Sequence, residues 1–299
     1  MTRLKSELIL FFVATLWALT FPLIKLSLVE FPPFYFVAIR FLAAAILFTL
    51  IFHKKIRGFN KAAIKSGIIL GVLLEIGFAS QSYGLVYTSS SSSALITGVN
   101  VLIVPFAQYI ILRKRVKFEN WVGVIIVTLG LFMLTRPFES GINIGDAVTL
   151  ICAISWAFYI IYLDVFTNKH NVYAMLFIQF WLVTIISFTI GALSEDSSKI
   201  IFSTPNILTL LYLSVFATLI ASTLGNKYQR FTTPIRATLV LMWEPPAAVL
   251  FSIILLNEKF SALQIIGGII MVAGIIFSET FEYIKTLLKR NSDNINSGI

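Results

Sequence analysis

Two carboxylates, Glu75 and Glu244, lie inside apolar stretches of this chain. An ionisable group in hydrocarbon costs several kcal/mol unless it is paired or wetted, so an acid held there calls for a functional account. Glu75, between Leu74 and Ile76, could carry a proton or meet a substrate amine. The alternative is a buried acid hydrogen-bonded to Ser80 or Gln81. Glu244 precedes Pro245 and Pro246, and successive prolines remove helix donors and free carbonyls one turn earlier. Freed carbonyls at membrane depth are tolerated where they line a cavity or meet polar side chains. Asn100 stands 144 residues before Glu244, and Trp17 stands 139 before Trp156, with Tyr159 close by. Aromatic faces bind apolar or cationic solutes by stacking and cation–π contact. The candidate substrate pathway is therefore Trp17, Glu75, Gln81, Asn100, Trp156, Tyr159, Trp243 and Glu244. Against it stand plainer roles: Glu244 pairing with a base or capping a broken helix, and the tryptophans packing between helices.

Other chemistry is poorly provided for. Cys152 is the single cysteine, and His53 and His170 fall in expected loops, so no metal cluster, intrachain disulfide or nucleophile–base pair is expected. No phosphate-binding loop is present, which argues against ATP hydrolysis. The expectation is a non-enzyme without cofactor, metal or catalytic residue.

The elements that hold these residues must be membrane helices. Of 299 residues 58% are hydrophobic and 12% charged, with a mean hydropathy of +0.91, more apolar surface than a soluble domain of this length can hide. Ten apolar runs are long enough to span: 7–26, 34–52, 66–86, 92–112, 119–136, 146–166, 173–193, 206–225, 236–256 and 261–281. The first lacks a small-residue cleavage site and is read as an uncleaved span. Pro32, Pro33, Pro137 and Pro205 fall in loops or at helix starts, where a missing N–H is harmless. The net charge of +9 resides in short loops, without the aromatic interleaving of a nucleic-acid surface. Eighteen Lys and Arg fall on the side of the two termini and three, Arg136, Lys199 and Lys259, on the other. That bias predicts cytoplasmic termini for a multi-pass protein of the cell (inner) membrane. Lys25 and Lys227 are expected to snorkel, whereas Arg40 lies deeper and could close a gate with an acid.

The chain also repeats itself. Leu112-Arg113-Lys114-Arg115-Val116 aligns with Leu256-Asn257-Glu258-Lys259-Phe260 at the offset of 144, and Ala14-Thr15-Leu16-Trp17-Ala18 aligns with Ala153-Ile154-Ser155-Trp156-Ala157 at 139. A repeat of five spans is odd, so the second copy enters from the opposite side. The expected fold is an all-α integral membrane protein whose ten transmembrane helices form two inverted five-helix repeats. Its parts are 1–138, 139–283 and a polar cytoplasmic tail, 284–299. Gly67, Gly71, Gly123, Gly130, Gly267, Gly268 and Gly274 allow close helix contact, within a monomer or in a homodimer.

Several of these segments resemble the EamA-type members of the drug/metabolite transporter superfamily. The resemblance rests on Tyr83-Gly84-Leu85-Val86-Tyr87-Thr88-Ser89, on Thr97-Gly98-Val99-Asn100 through Pro105, and on Trp121-Val122-Gly123. The second half adds Thr232-Thr233-Pro234, Trp243-Glu244-Pro245, Leu255-Leu256-Asn257-Glu258-Lys259 and Gly267 through Gly274. Glu75 departs from the apolar pattern expected in that family. The resemblance implies a ten-helix carrier of small metabolites, often an exporter of amino acids or related compounds. The expected function is a secondary transporter working by alternating access in the lipid bilayer, with a small-molecule substrate, protons as a candidate coupling ion and no nucleic-acid partner. The alternatives are a membrane-embedded enzyme acting on a lipid-borne substrate and a non-transporting assembly factor.

Overall fold

The computed structural model describes residues 2–135 and 143–296. Among them the chain forms ten long helices, one short 3₁₀ turn at Ser197–Lys199 and no strand: α1 (Arg3–Ser27), α2 (Pro33–Phe52), α3 (Lys61–Tyr87), α4 (Ser90–Leu112), α5 (Phe118–Thr135), α6 (Ile144–Thr167), α7 (Val172–Ser194), α8 (Thr204–Phe231), α9 (Pro234–Leu256) and α10 (Ala262–Asn296). Eight are long and apolar enough to cross a membrane, and the apolar parts of α5 and α10, Phe118–Leu134 and Ala262–Ser278, are shorter. All ten expected spans correspond to these helices. Arg136 and Pro137 lie outside the described residues.

Local sequence sets the helix starts. Pro33 occupies the first turn of α2, where its missing N–H costs nothing. Asn60 accepts from the Ala63 N–H at 2.8 Å to cap α3, and Ser89 accepts from Ser92 at 3.0 Å to cap α4. Asn143 and Asp146 form a reciprocal capping box on α6. The polar tail does not leave the last span as a loop, since α10 runs on to Asn296 through a stretch free of Gly and Pro.

Three spanning helices are broken. In α1 the ladder fails at Leu19, where Pro22 cannot donate to the Ala18 carbonyl. In α4 and α9 the breaks fall at Gly98-Val99 and Met242-Trp243, the same point in each repeat. Both helices also end alike, with Arg113 and Asn257 in the left-handed conformation at φ 53°. A further irregularity is a π-helical stretch in α8, Leu213–Ile220.

The packing obeys the repeat. Helix α5 lies against α10, α4 against α9 and α2 against α7, so each pairs with its own counterpart. Helix α3 packs on α6 and α7, and its counterpart α8 packs on α1 and α2. Because five helices separate the copies, each counterpart runs in the opposite direction, which makes the repeats inverted. The α5–α10 seam closes on two glycines: a Cβ on Gly130 would stand 2.6 Å from the Gly267 carbonyl oxygen.

Candidate functional site

The two equivalent helix breaks meet. A Cβ on Gly98 of α4 would come within 3.0 Å of the Pro245 ring of α9, so the glycine lets one broken helix rest on the other. Beside this contact lies a cavity of about 50 Å³, walled by α1, α3, α4, α6, α8 and α9. That space has room for a few water molecules. Trp17, Gln81, Asn100, Trp156, Tyr159 and Glu244 all line it.

The walls are aromatic. Trp17 and Trp156 approach with centroids 5.6 Å apart, Trp156 meets Tyr159 at 5.3 Å, and Phe78 stands edge-on to Trp156 at 5.5 Å. Most polar groups here are already engaged. Trp17 Nε1 donates to the Ala217 carbonyl at 2.8 Å, within the π-helical stretch of α8. Tyr159 donates its hydroxyl to Gln179 Oε1 at 2.8 Å and accepts from Asn226 Nδ2 at 2.9 Å. Gln229 Nε2 donates to the Ile160 carbonyl at 2.7 Å, and Gln81 Nε2 reaches Thr97 Oγ1 at 3.4 Å.

Two groups differ. Asn100 Oδ1 is buried without a hydrogen-bond partner, and among the described residues no side chain pairs with or donates to the Glu244 carboxylate. Both stand at the first residue after their helix break, so the broken ladders aim the two side chains inward. An unpaired carboxylate in an aromatic chamber can accept an ammonium group, with the ring faces completing its surroundings.

Two of the expected pathway residues lie elsewhere. Glu75 faces α7, where both carboxylate oxygens accept from Ser187 Oγ at 2.8 Å. At about 100° per residue, the six steps between them leave Glu75 turned by about 120° from Gln81, toward α7. Neither suggested partner serves it, since Ser80 bonds the Ile76 carbonyl and Gln81 turns to Thr97. Trp243 points away from its neighbour Glu244, stacking on Phe11 at 5.0 Å and donating to Thr15 Oγ1 at 3.0 Å. Among the described residues Arg40 pairs with no acid. Its Nε donates to Thr218 Oγ1 at 2.7 Å. Lys25 donates to the Leu85 carbonyl at 2.6 Å, satisfying the last turn of α3.

Asn226 and Gln229 are cavity residues that the expected span of 206–225 excluded. The signal was there: two uncharged amides three apart, on one helical face, directly after Gly225.

Polar contacts also join the helices on either side of the chamber. Toward the start of α4 and the end of α9, Ser90 and Ser252 hydroxyls lie 2.9 Å apart and Ser91 donates to Glu258. Toward the opposite end, Arg236 Nε meets Glu7 at 3.0 Å, Thr232 donates to Glu7 at 3.1 Å, and the Ile235 N–H donates to Gln108 at 3.3 Å.

Comparison with known proteins bears on this arrangement. The model of the EamA-like transporter family matches residues 4–136 and again 143–280. An "uncharacterized transporter" of Archaeoglobus fulgidus is 29% identical over 92% of this chain and 85% of its own length. A protein of Escherichia coli K12 named "probable amino-acid metabolite efflux pump" is 23% identical over 91% of this chain and 93% of its own. A solved crystal structure at 16% identity covers 94% of this chain and 98% of that one, with a TM-score of 0.76, and shares the fold.

Proposed function

Since the chain belongs to the EamA-like transporter family, a multi-pass membrane transporter, we propose that it is a secondary transporter exporting small amine-bearing metabolites, amino acids or amphipathic compounds, by alternating access. The observation that carries this reading is the Glu244 carboxylate, unpaired among the described residues and set in a chamber walled by Trp17, Trp156, Tyr159 and Phe78. A solute ammonium supplies the charge that Glu244 lacks, and its apolar part displaces little more than loose water between the rings. The chamber lies between two inverted repeats with polar contacts on either side, so opening one set while the other holds gives access from one side at a time.

Export agrees with the printed name of the Escherichia coli relative. The basic loops on the side of the termini support cytoplasmic termini in the inner membrane. Protons enter through the same carboxylate: a proton and a solute ammonium compete for Glu244, and that competition is a means of coupling.

The test is counterflow in proteoliposomes. Vesicles preloaded with unlabelled amino acids should accumulate labelled amino acid transiently, and Glu244→Ala should abolish the accumulation while the protein still reconstitutes. Absence of exchange for every amino acid and amphipathic amine tried would overturn the reading.

A further inference from the structure

Arg40, on α2, is 1% exposed, deep in the bundle. Nε bonds Thr218, but neither Nη1 nor Nη2 has a hydrogen-bond partner, and among the described residues no carboxylate pairs with it. A guanidinium stays protonated in proteins and carries five donors, so four N–H groups and a full charge are held in an apolar interior against no acceptor. Such a group inside a membrane protein marks a place where a charge arrives.

Three observations say where. The guanidinium lies over the Phe78 ring, 4.6 Å from its centroid, and Phe78 is part of the cavity wall. One aromatic ring therefore stands between the cation and the chamber. It also lies 5.7 Å from the Phe41 centroid, and its hydrogen-bond partner, Thr218, belongs to the π-helical stretch whose Ala217 carbonyl holds the cavity residue Trp17. π-turns gather at functional sites. The repeat supplies the third observation: Gln179, 139 residues after Arg40, accepts from the cavity residue Tyr159 at 2.8 Å. The same position in both halves thus backs the chamber, with an amide in one and a cation in the other.

We propose that Arg40 is the anion-recognising residue of the transport site and that the transported solutes are zwitterions of the α-amino-acid type. On loading, Phe78 swings off the guanidinium. The solute carboxylate then takes Nη1 and Nη2 in a bidentate fork while its ammonium meets Glu244. This rests on the reading of the chamber as the solute site. It narrows that reading, because simple amines and organic cations would leave Arg40 unanswered.

The test uses the purified full chain. Thermal shift against the proteinogenic amino acids selects the tightest binder, which is then titrated beside its methyl ester and its decarboxylated amine. The amino acid should bind about tenfold tighter than either derivative, as a charge-assisted fork requires. Arg40→Gln should remove that margin and leave the amine's Kd unchanged, with Arg40→Lys, which keeps charge without the fork, in between. Equal binding of the three ligands to the native chain, or equal weakening of all of them in Arg40→Gln, would overturn the proposal, the latter because it marks a structural role. Should Arg40→Gln fail to fold, Phe78→Leu in the otherwise native chain should tighten the amino acid selectively, and no selective change would count against it. Binding of organic cations without any amino acid sinks the Arg40 assignment and spares the chamber. Binding of neither class sinks the chamber as well.

Discussion

Trp17 and Trp156, equivalent residues of the two repeats, meet at the centre of the protein with ring centroids 5.6 Å apart and planes inclined by 45°. Trp17 is held by its bond to Ala217, so the pair is a fixed wall. Trp17→Phe loses that bond and part of the ring face, and should weaken solute binding by about 1 kcal/mol, several-fold in Kd. Solute quenching of tryptophan fluorescence should persist in Trp121→Phe and disappear in Trp17→Phe/Trp156→Phe. Quenching retained by the double variant would remove the pair from the site.

Glu244 and Glu75 should respond differently to pH. Ammonium binding needs an ionised carboxylate, so acidification should weaken binding of an amine-bearing solute, and that loss should vanish in Glu244→Gln. Glu75 meets Ser187 rather than the chamber, and Glu75→Gln should keep both the affinity and its pH dependence. Titrations of the two variants between neutral and mildly acid pH decide between them. A pH response abolished by Glu75→Gln would move the proton site to the α3–α7 interface.

The α5–α10 seam tolerates no added carbon. Gly130→Ala should destabilise the protein by about 2 kcal/mol, because the new Cβ meets the Gly267 backbone oxygen, which cannot move as a side chain would. Gly225→Ala is the control: its Cβ would find nothing nearer than 3.9 Å. Thermal midpoints in detergent should fall for the first and hold for the second.

The Glu7–Arg236 contact should register as a coupled pair. Both side chains are buried with Arg236 Nε 3.0 Å from Glu7, which also meets Arg3 at 3.5 Å, so removing either partner breaks a buried charged contact. Each of Glu7→Gln and Arg236→Gln should cost about 2 kcal/mol, and the double variant less than their sum. Additive losses in the denaturation midpoints would show that the contact does not hold those helices together.

The architecture was legible in the linear sequence because the bilayer leaves few choices. Apolar runs must become helices that satisfy their own backbone groups, and an odd number of them per repeat fixes the inversion. Trp17 with Trp156 and Asn100 with Glu244 could be paired from the offsets alone, since duplication preserves position. Rotation about each helix axis was not legible. Glu75 and Gln81 share one helix, yet only Gln81 reaches the chamber, and Trp243 and Glu244 are neighbours that face opposite ways across a break. Hydropathy has no period in helices apolar on nearly every face, so it cannot say which side meets protein and which meets lipid. Packing against α7 turned Glu75 aside, the π-helical stretch of α8 brought Thr218 to Arg40, and the helix continuing past Gly225 carried Asn226 and Gln229 to the chamber. Chain composition and duplication thus determined how many helices there are and how the halves are related. The facing of each side chain was decided only when neighbouring helices closed on one another, because that choice depends on contacts distant in sequence.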